Sequence, residues 1–311
     1  MKKLYLLGHP VSHSLSPIMQ NAAIQHFGLD WHYETKDVLP EDLTKTLEEL
    51  EADPDVIGCN VTVPHKVAAY EWLARDRCMT DARRAYAVNT LFRRDGHFIG
   101  DSTDFQGAMA ALSHVGFPGV PSGGSLLERD VAILGTGGSA QTIALGLATC
   151  HECPRSVTIF GRNLDNATRL SSMIPVEPRG RLTVEPGMPH LRVAASHLSE
   201  FAAWNRDRPS VIFQTTTVGM DSGQAPGQSP VPPGSVHSGQ IAFDLVYKPH
   251  DTPFLIDAAA NGAVTVHGID MLVGQGARSL ERWILESGRD QLTAQFVVSN
   301  AISVMHSALG V

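Results

Sequence analysis

Short apolar runs alternate with amphipathic stretches along the N-terminal third of the chain, which is typical of an α/β fold. Apolar or alternating runs rich in β-branched residues predict strands at residues 1–8, 31–37, 56–63, 87–92 and 98–101. Helical spacing predicts helices between them, at residues 18–27, 40–50, most of 71–86 and 103–112. Because Pro64 donates no ladder hydrogen bond, the third strand must end or open into a loop there.

The rest of the chain repeats this order with strands that are largely apolar. Buried-type strands are predicted at residues 130–134, 156–160, 211–214, 241–245 and 263–267, with helices at 135–149, 253–260 and after 268. Gly, Pro and Ser dominate residues 116–128, which predicts a linker, and residues 221–240, which predicts a mobile surface loop. In the last helix, apolar residues recur at helical spacing and predict a core stripe: Phe296, Val297, Ala301, Val304 and Met305.

Length, composition and charge exclude several classes of protein. A chain of 311 residues is long for one core, so two domains are expected. The formal net charge of −8 and the lack of basic runs argue against nucleic acid as a partner. No apolar run approaches the roughly 20 residues that span a bilayer, and the apolar start before Gly8 is too short for a signal peptide. We therefore expect a cytoplasmic protein without a membrane partner.

The cysteines do not indicate a disulfide scaffold. Four cysteines are too few for one in a chain of this size. Cys150-His151-Glu152-Cys153 has the spacing of metal ligands, but Cys59 and Cys78 lie far from it in sequence. A structural zinc site needs about four ligands. The sequence therefore predicts free thiols and no metal.

The strongest local motif is a glycine turn between a strand and a helix. Gly135-Thr136-Gly137-Gly138-Ser139-Ala140 matches the G-x-G-x-x-G/A pattern. The small residues of this pattern let backbone N–H groups approach a pyrophosphate at a helix N-terminus. We therefore assign Gly135, Gly137, Gly138 and Ser139 to a dinucleotide site.

The end of the following strand indicates which dinucleotide is bound. The residues there are Gly161-Arg162-Asn163, without the acid that selects the ribose 2′-hydroxyl of NAD. The planar guanidinium of Arg162 suits the 2′-phosphate of NADP, so NADP is favoured. Asp165 follows closely enough in sequence that NAD stays an alternative.

Several polar side chains follow the strands of the N-terminal part. Lys66 comes just past a strand end, where α/β sheets usually bind their ligands. Ser14 and Ser16 precede a helix, where their hydroxyls either cap that helix or bind a small anionic ligand. Asn89 interrupts an apolar strand and Asp104 lies near the start of a helix. Each of these two also has an ordinary explanation, in backbone hydrogen bonding or in the helix dipole.

Taken in order, these motifs resemble the shikimate dehydrogenase family, which includes quinate dehydrogenases, over nearly the whole chain. They are Ser-x-Ser-Pro (14–17), Asn-Val-Thr-Val-Pro-x-Lys (60–66), Ala-Val-Asn-Thr (87–90), Gly-Asp-x-Thr-Asp (100–104), Gly-x-Gly-Gly (135–138), Asp-Leu-Val-Tyr-x-Pro (244–249) and Met-Leu-Val-x-Gln-Gly-Ala (271–277). Several independent motifs in one order are far more specific than any one of them.

The resemblance implies an α/β protein of two domains with the active site in the cleft. Residues 1–106 and 268–311 would form a substrate-binding and catalytic domain, in which C-terminal helices complete the N-terminal α/β part. Residues 107–267 would form an inserted Rossmann-type NADP-binding domain. Thr215 and Gly268 complete the expected cofactor set. The expected assembly is a monomer or homodimer.

The resemblance also implies which side chains face the substrate. Ser14 and Ser16 match residues that bind a substrate carboxylate, with Tyr247 nearby. The remaining matches surround the ring hydroxyls of the substrate: Thr62, Lys66, Asn89, Asp104 and Gln275.

Oxidation of a secondary alcohol passes a hydride to the nicotinamide and a proton to a base. Lys66 is expected to relay that proton or to stabilise the developing alkoxide, with Asp104 orienting it. The expected reaction is the reversible, NADP-dependent reduction of 3-dehydroshikimate to shikimate, a step of aromatic amino-acid biosynthesis.

The chain departs from the usual family pattern at positions that flank both sites. The departures are His65 for Phe, Ser102 for Asn, Gln20-Asn21 for His-Asn, Gly161-Arg162-Asn163 for Asn-Arg-Thr, and residues 214–220 for Asn-Ala-Thr-x-x-Gly-Met. They keep open a quinate or quinate/shikimate dehydrogenase that uses NAD or NADP, although retention of Ser16 favours shikimate.

Two more distant alternatives share the architecture. A folate-type methylene dehydrogenase is disfavoured by the Ser-x-Ser-Pro loop and by Asp104. A non-catalytic NADP(H)-binding sensor would keep the fold without the reaction, since fold alone does not fix function. The joint retention of Lys66, Asp104, Asn89 and Gln275 disfavours the sensor.

Overall fold

The computed structural model describes residues 1–115, 126, 129–150, 153–174, 191–208, 210–221, 223, 225–288 and 294–311. These residues divide into two compact units, one of residues 1–107 and 272–311 and one of residues 108–271. Of the predicted linker at 116–128, only Leu126 is among the described residues, which resume at residue 129. None of the described helices is long and apolar enough to cross a membrane.

The described strands and helices follow the α/β order that the hydrophobic pattern predicts. The strands are β1 (Lys2–Gly8), β2 (Trp31–Asp37), β3 (Val56–Val61), β4 (Thr90–Arg94), β5 (His97–Asp101), β6 (Asp130–Leu134), β7 (Ser156–Gly161), β8 (Arg192–His197), β9 (Ser210–Gln214), β10 (Ile241–Asp244) and β11 (Val264–Val266). The α-helices are α1 (Ser16–His26), α2 (Leu43–Ala52), α3 (Lys66–Leu73), α4 (Thr80–Ala85), α5 (Asp104–Val115), α6 (Gly138–Thr149), α7 (Leu164–Met173), α8 (Phe201–Asn205), α9 (Pro253–Ala260), α10 (Gly268–Glu286) and α11 (Ala294–Leu309).

The first unit is built on a mixed sheet with strand order β2-β1-β3-β4-β5. β1 pairs in parallel with β2 and β3, whereas β3–β4 and β4–β5 are antiparallel. The register places Asn60 opposite Thr90, and Thr90 opposite Asp101. Three polar residues are therefore in line across neighbouring strands, at the end of β3 and the start of β4.

Successive residues of β1 supply apolar side chains to opposite faces of this sheet, as the period of a strand requires. Leu4 and Leu6 pack with side chains of α1, α10 and α11 in one core. Leu7 packs with side chains of α2, α3 and α4 in a second core. On the first face, Trp283 of α10 approaches so closely that a Cβ on Gly58 would lie 2.2 Å from its ring nitrogen. Gly58 is thus required by close packing.

The second unit is built on a parallel sheet with strand order β11-β10-β9-β6-β7-β8. Its central strands are buried along their whole length, which explains why their middle residues form continuous apolar runs rather than alternating. Phe201 of α8 and Phe254 of α9 pack with strand residues such as Ile212 in its core. The fold prediction of an α/β protein with a Rossmann-like parallel sheet is confirmed.

Several element boundaries differ from the prediction. The helix predicted at 40–50 is a 3₁₀ turn, Pro40–Asp42, followed by α2. The stretch predicted as mostly helical at 71–86 is interrupted between α3 and α4, where Ala74 has a φ of 55°. The strand predicted at 87–92 starts only at Thr90, so Asn89 precedes it.

Two packing predictions also need correction. Phe296, predicted in the core stripe of α11, is 50% exposed, because it lies five residues before the buried Ala301 and nine before the buried Met305, spacings that place it on a different face of the helix. The loop at 221–240, described except for residues 222 and 224, is not confined to the surface. Its Val231 and Val236 are buried in the core of the second unit.

Candidate active site

A lysine and an aspartate form an ion pair at the edge of the first sheet. Lys66 is the first residue of α3, five residues past the end of β3, and Asp104 is the first residue of α5, three residues past the end of β5. Lys66 Nζ donates a hydrogen bond of 2.5 Å to Asp104 Oδ2. The side chains are only 22% and 9% exposed, so water screens their attraction weakly. The pair is therefore joined by a short hydrogen bond and shielded from most of the solvent.

Asn89 holds the other oxygen of this aspartate. Its Nδ2 lies 2.8 Å from Asp104 Oδ1, 2.9 Å from Thr103 Oγ1 and 3.2 Å from Gln275 Oε1. The side-chain oxygen of Asn89, Oδ1, accepts hydrogen bonds from the backbone N–H of Thr103 and the hydroxyl of Thr90. Asn89 is 2% exposed, and its amide is fully engaged. The segment before β4 thus fixes the orientation of Asp104.

A second group of buried polar side chains lies behind Asn89. Asn60 Nδ2 donates to the backbone carbonyl of Asn89 (3.1 Å), to Thr90 Oγ1 (3.2 Å) and to Ser279 Oγ (2.9 Å). The Tyr33 hydroxyl in turn donates to Asn60 Oδ1 at 2.9 Å. Burial raises the pKa of Tyr33 well above its usual range, which keeps this hydroxyl a donor at neutral pH. A continuous network therefore connects β2, β3, β4 and α10 to the ion pair.

The two predicted carboxylate-binding serines lie at the start of α1. The helix begins at Ser16, with Leu15 as its N-cap, so the prediction that Ser16 caps the helix is wrong. Ser14 Oγ instead accepts a hydrogen bond of 3.2 Å from the backbone N–H of Ser16. Ser14 is partly exposed and Ser16 is 5% exposed. The loop thus presents hydroxyls at the positively polarised end of a helix, where an anion is stabilised.

The other predicted substrate residues are divided between the units. Thr62 is half-buried after β3, and its backbone N–H donates to the carbonyl of Leu7. Gln275, in α10, contacts Asn89 through Oε1 and donates through Nε2 to the carbonyl of Leu272. Tyr247 belongs to the second unit, three residues after β10, where burial raises the pKa of its phenol. The first unit thus brings Asn89, Gln275 and the ion pair together.

The glycine turn of the second unit fits a dinucleotide phosphate. Gly135, directly after β6, has a φ of 124°, and a Cβ there would lie 2.6 Å from Thr215 Oγ1. Gly137 and Gly138 have no atoms within 4 Å of the place that a Cβ would occupy. α6 starts at Gly138, so the N–H groups of its first turn, including that of Ser139, have no acceptor within the helix. The turn therefore offers open backbone donors of the kind that phosphate binds.

Arg162 is positioned beside that turn by the end of the neighbouring strand. β7 pairs with β6 in parallel and ends at Gly161, and the Arg162 side chain that follows is exposed. Asn163 caps α7, since its side chain accepts from the backbone N–H of Asn166. Asp165 lies in the first turn of α7 and is exposed. Arg162 is thus the charged side chain nearest in sequence to the strand end.

The two remaining predicted cofactor residues have structural roles in the second unit. The Thr215 hydroxyl donates to the backbone carbonyl of Leu134 at 2.8 Å, which joins the ends of β9 and β6. Gly268 starts α10, and a Cβ there would lie 2.6 Å from the carbonyl oxygen of Leu245. The Thr215 hydroxyl is therefore used within the protein and Gly268 has no side chain, so each offers its backbone to a ligand.

Three of the departures from the family pattern have local hydrogen-bonding roles. His65 is buried, and its Nε2 lies 2.7 Å from the carbonyl of Val38. Gln20 is buried in α1, and its Nε2 donates to the carbonyl of Gly276 at 3.0 Å. Gln214 accepts from the backbone and hydroxyl of Thr216 and so closes the turn after β9. The Cys150 thiol donates to the carbonyl of Leu147 and the Cys153 thiol to that of Cys150, while the two residues between them lie outside the described residues.

Sequence reasoning missed the network residues Tyr33, Asn60 and Ser279 as parts of the site. Ser279 lies one turn after Gln275 on α10, so helical spacing places both on one face. A serine on the otherwise apolar, buried face of a helix was the available signal. Asn60 was visible as a polar residue in an apolar strand, although its partners come from three different elements.

Comparison with known proteins identifies relatives over almost the whole chain. Residues 6–91 match the family described as the shikimate dehydrogenase substrate binding domain. Shikimate dehydrogenase (NADP(+)) of Bacillus mycoides is 36% identical over 284 residues, which cover 91% of this chain and 93% of the relative.

Solved structures share the fold over the same extent. Shikimate 5-dehydrogenase of Thermus thermophilus in complex with NADP(H) and shikimate matches with a TM-score of 0.75 and 30% identity, over 99% of this chain and 100% of that chain. The ligand-free 5-ketofructose reductase of Gluconobacter sp. strain CHM43 matches with a TM-score of 0.73 and 28% identity, over 97% and 98% of the two chains. The same fold thus occurs in a shikimate 5-dehydrogenase and in a 5-ketofructose reductase.

Proposed function

The chain belongs to the shikimate dehydrogenase family, and we propose that it catalyses the reversible reduction of 3-dehydroshikimate to shikimate with NADPH, a step of aromatic amino-acid biosynthesis. The observation that carries this proposal is the Lys66–Asp104 pair, held from behind by Asn89. It supplies a proton donor of fixed geometry, which carbonyl reduction requires.

The proton follows a short path in this reaction. Bound NADPH supplies the hydride that reduces the carbonyl carbon. As the carbonyl oxygen gains negative charge, the Lys66 ammonium stabilises it and gives it a proton, so that a hydroxyl results. In the direction of oxidation, neutral Lys66 accepts the hydroxyl proton. Asp104 holds the ammonium by a hydrogen bond and accepts one from a substrate hydroxyl.

The polar side chains assigned to the substrate by the family resemblance divide into two groups. The hydroxyls of Ser14 and Ser16, at the start of α1, bind the substrate carboxylate, to which the resemblance also assigns Tyr247. Thr62, Asn89 and Gln275 bind ring hydroxyls.

The second unit holds the cofactor. The first turn of α6, at Gly137, Gly138 and Ser139, binds the pyrophosphate through backbone N–H groups, while Gly135 allows the tight turn. Arg162 pairs with the 2′-phosphate and favours NADP over NAD. Thr215 and Gly268 contribute backbone to the cofactor site.

A quinate or quinate/shikimate dehydrogenase is the nearest alternative. Quinate carries an additional hydroxyl on the carbon that bears the carboxylate, so small differences around Ser14 and Ser16 decide between the two acids. Because the fold alone does not fix the substrate, the similarity to a 5-ketofructose reductase makes a neutral ketose a further alternative substrate. A ketose lacks the carboxylate that the two serines bind.

The test is steady-state kinetics with each substrate and cofactor combined. Shikimate and quinate are oxidised with NADP and with NAD, and 5-ketofructose is reduced with NADPH, all compared by kcat/KM. We expect shikimate with NADP to be preferred by tenfold or more, about 1.4 kcal/mol of transition-state stabilisation. Lys66→Ala should lower kcat by roughly 10²–10⁴-fold without loss of NADP binding. NADP binding without turnover of any substrate would instead indicate the sensor.

A further inference from the structure

Two histidines and an aspartate converge on the second unit, away from the glycine turn in sequence. His250 and Asp251 lie in the segment between β10 and α9, and His267 lies between β11 and α10. His250 Nδ1 is 3.2 Å from Asp251 Oδ1, and His267 Nε2 is 3.1 Å from the same oxygen. All three ligand-capable atoms lie within 4.8 Å of one another. No other cluster of three such residues occurs in the part of the chain that the structure describes.

The two imidazole rings are stacked almost in parallel. Their centroids are 4.1 Å apart, at an interplanar angle of 17°. Nδ1 of His250 and Nε2 of His267 each lie within hydrogen-bond distance of a single carboxylate oxygen, to which a protonated ring nitrogen donates. A bound metal ion would take the place of those protons. Two imidazole nitrogens and a carboxylate are the ligands that zinc and similar divalent transition metals prefer.

The spacing of the three atoms suits a small cation. Bonds of about 2.0–2.2 Å at tetrahedral angles separate neighbouring ligand atoms by roughly 3.3–3.5 Å. The two nitrogen–oxygen separations in this cluster, 3.1 and 3.2 Å, are shorter by only a few tenths of an ångström. The His250 and Asp251 side chains are 47% and 67% exposed, so both are accessible to an ion from solvent.

The backbone on both sides of the cluster is tied down. Next to Asp251, the Thr252 hydroxyl donates to buried Asp244 at 2.6 Å and caps α9. On the other side, the carbonyl of His267 accepts from the backbone N–H of Asp270 in the first turn of α10. The backbone positions of the three ligands are therefore fixed before a metal binds, which reduces the entropy cost of binding it.

We propose that His250, Asp251 and His267 bind a divalent transition metal ion of the zinc class. Three protein ligands leave a fourth position for water or for another ligand. The ion joins the segment after β10 to the segment after β11, two neighbouring parallel strands of the sheet. Because the unfolded chain does not hold the three ligands together, bound metal stabilises the folded second unit. His267 directly precedes Gly268, which the proposed function assigns to the cofactor, and the metal site goes beyond that function.

The experiment uses the full chain after removal of metal with a chelator. Zinc binding is measured by titration calorimetry, thermal unfolding is recorded with and without zinc, and cobalt(II) replaces zinc for visible spectroscopy. We expect one tight site, a melting temperature that rises with zinc, and a cobalt spectrum without a thiolate charge-transfer band. His250→Ala and His267→Ala should each weaken zinc binding more than about tenfold, since even an outer-shell partner contributes that much.

Two control variants address other binding sites. A Cys150→Ser/Cys153→Ser double variant tests the thiols, and His32→Ala removes an exposed histidine of β2. Both should bind zinc like the unchanged protein. Loss of binding in the cysteine variant, a thiolate band with cobalt, or binding that His267→Ala leaves unchanged would each overturn the proposal. Since all three ligands are at the surface or half-buried, loss of folding does not obscure the result.

Discussion

The side-chain amide of Asn89 donates to Asp104 Oδ1 at 2.8 Å, on the opposite side of the carboxylate from Lys66. The two donors together fix the plane of the carboxylate. A rotated carboxylate would lose one charge-assisted hydrogen bond, each of which is worth about 1.5–3 kcal/mol. The orientation of Lys66 therefore depends on a residue that lies one side chain away from the reacting atoms.

Replacement of Asn89 should lower turnover through its effect on this pair. We expect Asn89→Ala to reduce kcat by roughly 10–100-fold, which corresponds to the loss of one hydrogen bond to a charged group. Asn89→Asp keeps the shape but places a second carboxylate beside Asp104, so its kcat should fall at least as far and its pH profile should shift. Steady-state kinetics across pH would measure both. An Asn89→Asp enzyme with unchanged kcat and an unchanged profile would contradict the positioning role.

Arg162 is expected to determine the preference for NADP. A guanidinium bound to the 2′-phosphate is worth about 1.5–3 kcal/mol, so Arg162→Ala should lower kcat/KM for NADP by roughly 10–150-fold and leave that for NAD within about threefold. The matched control is Arg169→Ala, which removes another exposed arginine, in the α7 helix that follows Arg162. Equal losses with both cofactors, or an equal effect of the control, would assign the preference to other residues.

The strand pattern of the second unit was the most predictable part of the fold. Residues 131–134 are an unbroken apolar run because β6 is covered on both faces, and burial of that kind leaves a direct trace in the sequence. The break after α3 left no such trace. Ala74 adopts a φ of 55° without a glycine or proline nearby to indicate it.

The candidate site was predictable in its motifs but not in its geometry. Asn89 looked like part of a strand, because its neighbours are apolar. Its backbone N–H instead donates to the carbonyl of Asp101, and its backbone carbonyl accepts from the N–H of Val61. Its side chain donates to Asp104. Ser279 meets Asn60 across 219 residues of sequence, and no local pattern encodes a contact of that kind.

Arg93 holds the end of α2 to the sheet of the first unit. Its guanidinium donates to the backbone carbonyls of Leu50, Glu51, Asp53, Val56 and Gly96. It also lies over the ring of Phe98, 4.9 Å from the centroid. Because the last carbonyls of a helix have no partner within it, one side chain satisfies several of them.

Arg93→Ala should therefore lower the free energy of unfolding by roughly 2–4 kcal/mol. Arg93→Lys keeps the charge but loses the planar fork, so an intermediate loss is expected. Lys45→Ala is the control, since it removes an exposed ion pair with Glu49, 3.9 Å long, and should cost less than about 0.5 kcal/mol. Urea unfolding would compare the three. A loss for Arg93→Ala no larger than that of the control would mean that water replaces the guanidinium without cost.

Asp244, at the end of β10, carries a carboxyl with no exposure to water. Burial raises the pKa of Asp244 to about 7, although hydrogen bonds from the Thr252 hydroxyl and the Val246 backbone N–H lower it in part. The unfolded chain has the ordinary value of 3.8. The stability that the neutral carboxyl contributes is thus complete below about pH 4, and it is lost as the pH rises through about 7.

Asp244→Asn should remove this pH dependence, because an amide does not titrate. The free energy of unfolding of the variant, relative to the unchanged protein, should rise between pH 4 and pH 8 by at most about 4 kcal/mol, with most of the rise complete by pH 7. Urea unfolding at several pH values would measure it, with Asp165→Asn, an exposed aspartate of α7, as the matched control. If the curves of Asp244→Asn and the unchanged protein run parallel across this range, Asp244 is already ionised in the folded protein. The hydrogen bonds from Thr252 and Val246 would then outweigh its burial.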